Sequence, residues 1–189
     1  MSKKRIGIWG SITMSILALL SVLCFSTVPA VFASPRPTDS EEVTKLLAEV
    51  KSEAYDLKND AEDLKSFTRS KLSWQSHAGK VIQIKQTVNR AGELVSKLND
   101  AKASASAWQQ QVIDETTPLL RELAANVSSA IEHMNKKQNQ IHTKPYADYV
   151  AATADLATDL HALISDYLAY GEAKNKSEEL GQKLEVPGA

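Results

Sequence analysis

The chain has 189 residues, with 22 Lys+Arg against 23 Asp+Glu, a formal charge of −1, 43% hydrophobic residues, 7 Gly, 6 Pro and 1 Cys. That length suits one ordinary domain. The balanced charge leaves no electrostatic footprint for nucleic acid. A single cysteine excludes a disulfide framework and Cys-based zinc or iron–sulfur sites, and the few Gly and Pro argue against a turn-rich β sandwich.

The totals mix two unlike segments. Lys3, Lys4 and Arg5 form a positive start, residues 6–28 carry no charge, and Pro29-Ala30-Val31-Phe32-Ala33 places compact residues, Val31 and Ala33, where a signal peptidase reads. That order predicts a secretory signal over residues 1–33, helical in its apolar part. Cleavage after Ala33 leaves 156 of the 189 residues, and removing three basic residues leaves 19 against 23 acidic ones. The exported chain then has no cysteine, because Cys24 lies in the signal, where the preceding Leu23 does not suit lipid attachment. The alternative is an uncleaved anchor in the inner membrane through residues 6–28, which is the chain's one expected contact with a membrane. The location follows: exported, either periplasmic or secreted.

Residues 34–37, Ser-Pro-Arg-Pro, read as an extended linker. Thr38-x-x-Glu41 reads as a capping box opening the first helix. From there apolar residues recur at alternating steps of four and three. The first stripe is Val43, Leu47, Val50, Ala54, Leu57, Ala61 and Leu64. The second is Trp74, His77, Val81, Ile84, Val88, Ala91, Val95 and Leu98. The third is Leu120, Leu123, Val127, Ala130 and Met134, broadened by Leu119 and Ile131. The fourth is Val150, Thr153, Ala157, Leu160, Ile164 and Tyr167, widened by Leu156 and Leu163. Each is the seam of a helix packing in a bundle, and no stretch alternates with the period of a strand. Four helices are predicted, near 38–68, 74–99, 106–141 and 145–184. Short links make each antiparallel to the one before, giving an elongated, all-α, up-down four-helix bundle over 38–185, with a tail at 186–189. Ser106-x-x-Gln109 is a second capping box. Pro118 either starts a helix capped by Thr117 or kinks one long helix. The apolar pattern on both sides, at Trp108, Val112, Leu119 and Leu123, favours the kink in one long helix.

His77 is the informative histidine, because it interrupts an otherwise apolar seam. Counting rise along the helices puts His161 near the same level, so these two are the candidates for a metal site, and a metal- or haem-carrying bundle using His77 is the alternative function. The plainer reading is a histidine bonded to a neighbour. A di-iron site needs Glu-x-x-His on two helices, yet Trp74, Ala130, Asn139 and Thr158 stand three residues before the four histidines. Haem ligation by Met and His would have to use Met134, the sole methionine after residue 33, and the covalent haem motif is absent. No cofactor is assigned.

Lys136, Lys137 and Lys144, with His133 and His142, gather at one end of the predicted bundle, beside Arg69, Lys71 and Lys80. That end is a candidate binding surface for an anionic envelope polymer or an acidic partner, although lysines near helix ends also simply complement the helix dipole. Tyr167 belongs to the core stripe, while Tyr149 and Tyr170 fall one step off it, where exposed tyrosines at helical spacing can form a docking face. There is no Gly-x-Ser-x-Gly, His-Glu-x-x-His or glycine-rich phosphate loop, so no catalytic residue is assigned and the chain is read as non-enzymatic. The expected partners are an envelope protein or polymer, or a second copy, since heptad seams also suit self-association.

Trp108-Gln109-Gln110, Ile113-Asp114, Pro118-Leu119-Leu120-Arg121-Glu122-Leu123-Ala124, Ala154-Asp155-Leu156, Ile164-Ser165-Asp166-Tyr167 and Tyr170-Gly171 give the chain a further feature. In these stretches it resembles a group of small exported helical proteins of soil bacteria. The resemblance spans most of the exported chain and implies export and an all-α fold. It implies no activity and no site residue.

Overall fold

A computed structural model of the chain describes residues 38–184. The signal over 1–33, the linker over 34–37, position 185 and the tail over 186–189 lie outside the described residues. Four helices follow in order: α1 (Glu41–Ser70), α2 (Trp74–Ala101), α3 (Ala107–Lys136) and α4 (Lys144–Lys183). At 1.5 Å per residue they run from about 42 to 60 Å. Packing runs around the ring α1–α2, α2–α3, α3–α4 and α4–α1, so α1/α3 and α2/α4 are the diagonals of an antiparallel four-helix bundle.

The seams behave as helical periodicity requires. All seven residues of the first stripe are buried, as are Val81, Ile84, Val88, Ala91, Val95 and Leu98 of α2, Leu120, Leu123, Val127, Ala130 and Met134 of α3, and Val150, Thr153, Ala157, Leu160 and Ile164 of α4. Trp74 departs from expectation: it opens α2, with no helical turn before it, and stays 38% exposed.

The ends correct several expectations. Ser40, not Thr38, caps α1, its side chain accepting from the Val43 N–H, and Glu41 is the first helical residue. At the other end of α1 Lys71 takes the left-handed conformation at φ 52° and returns its N–H to the Phe67 carbonyl, the geometry a glycine usually supplies. Ser106 and Gln109 form the expected box on α3, with the Ser106 N–H donating to Gln109 Oε1 at 2.9 Å. Pro118 lies inside a continuous α3, so it does not start a helix. Its missing N–H deprives the Asp114 carbonyl of a partner, and Thr117 Oγ1 bonds the neighbouring Ile113 carbonyl at 2.9 Å. The third helix ends at Lys136 rather than 141. Lys137 leaves the helical region at φ −141°, a short 3-10 turn covers Gln138–Gln140, and Ile141 uses its apolar side chain to anchor the link, 2% exposed.

Among the described residues the buried polar side chains are Asp60, His77, Thr87, Ser106, Gln109, Thr116 and Thr153. Two of them, Gln109 and His77, bridge the diagonals at opposite ends of the bundle. Gln109 on α3 binds Ser40 at the start of α1, and His77 on α2 binds Tyr146 on α4.

Candidate functional site

The end where α1 meets α2 and α3 meets α4 holds His77, His133 and His142. His77 is fully buried and its Nδ1 lies 3.0 Å from the Tyr146 hydroxyl. Phe67, His142 and Tyr146 surround its ring in edge contacts, with centroids 5.8, 6.2 and 5.4 Å away. Its Nε2 is buried without a hydrogen bond of regular geometry. Burial holds the imidazole below its ordinary 6.5, nearby His142 adds to that, and the Phe67 backbone opposes it only weakly. Burial likewise pushes the Tyr146 phenol well above its usual range. Both groups are therefore neutral over the physiological range.

His161 does not join them. It lies against Tyr55 of α1, centroids 5.7 Å apart and rings tilted by 53°. His77 sits at the level of Tyr146, and fifteen residues of α4 separate Tyr146 from His161, about 22 Å of helix. A metal shared by His77 and His161 is therefore excluded by distance. Counting rise misplaced them because α2 and α4 meet near their first turns. Among the described residues no group of three or more His, Cys, Asp or Glu side chains is arranged to hold a metal ion.

His133, His142, Lys136, Lys137 and Lys144 do share this end, but carboxylates are interleaved with them. Lys136 pairs with Glu132, Lys144 with Asp148 at 2.8 Å, and Lys80 with Asp60 at 2.9 Å and Asp63 at 3.2 Å. His133 lies beside Tyr146 and Tyr149 and its Nε2 is 3.2 Å from the Gln140 carbonyl. Glu132, Asp148, Asp60 and Asp63 therefore offset part of the expected basic surface, while Lys137, Arg69 and Lys71 form no ion pair among the described residues.

The opposite end carries a cleft of about 480 Å³ between the start of α3 and the later part of α4, lined by Ala107, Trp108, Gln111, Asp166, Tyr167 and Tyr170. Tyr167 and Tyr170 stand one turn apart on α4. Tyr170 is 56% exposed and meets Trp108 edge to face, centroids 6.3 Å apart at 74°. The Tyr167 hydroxyl donates to Glu115 at 2.9 Å. Trp108 is fixed from behind: its indole N–H donates to Asp39 Oδ1 at 2.8 Å, and Lys174 lies 3.4 Å from the same oxygen. Burial pushes the Asp39 carboxyl up, but the Ser106 hydroxyl, the Trp108 N–H and Lys174 outweigh it and hold the group below 3.8. The sequence placed Tyr170 on a candidate docking face but Tyr167 in the core stripe; Tyr167 is only partly buried and lines the cleft, and Trp108 and Asp166 belong to the cleft only because α3 and α4 are neighbours. Tyr149, named with Tyr170, is half-buried at the far end beside His133.

Gly171 lets Trp108 sit this close. A Cβ there would lie 2.5 Å and 2.9 Å from two atoms of the indole ring, whereas at Gly92 on α2 it would meet nothing within 4 Å. Alanine in a helix gains about 1 kcal/mol over glycine, and overpacking costs about 1–3 kcal/mol. Gly92→Ala is therefore expected to raise the thermal midpoint and Gly171→Ala to lower it, by about 1 kcal/mol each way. Paired melting curves check this, and a stabilised Gly171→Ala protein would mean that the Trp108 wall yields.

No family model, curated protein or solved structure matches this chain.

Proposed function

We propose that this is an exported, non-enzymatic binding protein of the cell envelope, which meets its ligand at the cleft formed by Trp108, Tyr167 and Tyr170. Export is supported by the Lys3-Lys4-Arg5 start, the uncharged 6–28 stretch and the Val31/Ala33 pattern. No helix among the described residues is long and apolar enough to cross a membrane. The observation that carries the binding role is the cleft itself: rigidly backed, solvent-open and walled by aromatics, which are the side chains most enriched in binding anchors.

The intact mass of the protein purified from its native envelope, and equilibrium dialysis of that protein against an extract of the envelope with mass spectrometry of the small molecules it concentrates, test this reading. The expected result is a chain beginning at Ser34 that concentrates a specific compound, and a Tyr170→Ala protein that folds equally well and does not. A wild-type chain that concentrates nothing, or concentrates the same compound after Tyr170→Ala, overturns the role of the cleft.

A further inference from the structure

We infer that the cleft takes a small quaternary ammonium compound of the choline class. The inference rests on the binding role proposed above and names the chemistry of the ligand. Three features point to a cation. Asp166 is the sole charged residue of the lining, it is exposed, and it forms no ion pair among the described residues. Tyr167 donates its hydroxyl to Glu115, so a second carboxylate enriches the electron density of that ring. Trp108, 8% exposed, and Tyr170, 56% exposed, meet edge to face at 74°, so the open Tyr170 ring stands beside Asp166 with the indole in the wall behind it. Aromatic faces attract cations through their quadrupoles, and indole does so best.

The remaining lining chemistry selects among cations. An ammonium with three N–H donors needs several acceptors once it leaves water. Beside Asp166, the lining supplies only Gln111 and tyrosine hydroxyls, one of them already committed to Glu115. A quaternary nitrogen has no donors to satisfy and is weakly hydrated, so it loses least on entry. Lys174, four residues after Tyr170, pairs with Asp39 and Glu178 and is not among the lining residues. A volume of about 480 Å³ matches a small molecule rather than a macromolecular face.

Calorimetric titration of the purified protein with choline chloride, and in parallel with its neutral carbon isostere 3,3-dimethyl-1-butanol, tests the inference. Choline is expected to bind with a dissociation constant of roughly 1 mM, at least about tenfold tighter than the isostere. Tyr170→Ala should weaken choline about tenfold. Asp166→Asn should weaken it by about threefold to fivefold and reduce the sensitivity to added salt. Both side chains are exposed, so melting curves of these variants should match the wild type. Equal affinity for the isostere, choline binding that survives Tyr170→Ala, or no choline binding at concentrations of order 10 mM overturns the inference. If a Tyr170-dependent compound is nevertheless concentrated from the envelope extract, the choline class alone falls. If nothing is concentrated either, the binding role of the cleft falls with it.

Discussion

Gln109→Leu is expected to destabilise the bundle by about 3 kcal/mol, lowering the thermal midpoint by roughly 6–12 °C. The Gln109 amide is completely buried and satisfies all four of its hydrogen-bonding positions. Its Oε1 accepts from the Ser40 and Ser106 N–H groups, each at 2.9 Å, and its Nε2 donates to the Ser40 carbonyl and to Thr44 Oγ1, each at 2.9 Å. One side chain thereby serves the N-caps of both α1 and α3. Leucine has nearly the same volume, so the cost does not come from a cavity. It comes from two backbone N–H groups left without acceptors, one of them deep in the structure, at about 1–3 kcal/mol each. Denaturant unfolding measures the loss, and hydrogen exchange should quicken at the first turn of α1 more than at its last. Gln109→Glu separates this account from simple packing. It keeps an acceptor for the two N–H groups but sets a second oxygen against the Ser40 carbonyl. That variant should therefore recover stability on mild acidification, when the buried carboxyl takes up a proton and becomes a donor again. A Gln109→Leu protein within about 1 kcal/mol of wild type would show that water replaces the clamp.

The second large effect is a loss of stability on acidification, centred on His77. Its folded pKa lies below the ordinary 6.5, chiefly through burial and then through His142. The unfolded chain therefore binds a proton on this residue before the folded chain does. Stability from the neutral imidazole is complete above about pH 6.5 and is lost as pH falls from there towards the lowered folded value, at up to about 1.4 kcal/mol per pH unit. Protonation also disrupts the site locally, because a charged ring would lie among Phe67, Tyr146 and His142 with no carboxylate in contact. His161 adds a smaller contribution of the same sign, since burial and the charges of Lys58 and Lys51 lower its pKa too. Denaturant midpoints between pH 8 and pH 5 check the slope, and His77→Gln should be less stable at pH 8 yet retain only the residual His161 slope below pH 6.5. An unchanged slope in that variant would place the acid sensitivity elsewhere.

The histidine and the glutamine illustrate different degrees of legibility in the sequence. His77 stood out because a polar ring interrupts an apolar stripe, and its burial followed from the period alone. Its partner did not. Tyr146 lies on the diagonal helix, 69 positions away, and their meeting depends on how the first turns of α2 and α4 align. Gln109 was legible as half of a capping box, a pattern confined to four consecutive residues, while its bonds to Ser40 reach across the same sequence distance. The charged end shows the converse. Lys136 and Lys144 were placed at the correct end, but Glu132 and Asp148, each four residues away on the same helix, neutralise them there.

The sequence by itself determined the class of the fold, the number of helices and nearly every core position, because a 3.5-residue apolar repeat is local information that only a packed helix satisfies. It determined the box at Ser106 and Gln109 for the same reason. Only the tertiary structure decided which helices are diagonal, that His77 meets Tyr146 and not His161, and that Trp108 joins Tyr167 and Tyr170 around one cleft. Those outcomes depend on the axial register of helices far apart in the chain, and no local period encodes register.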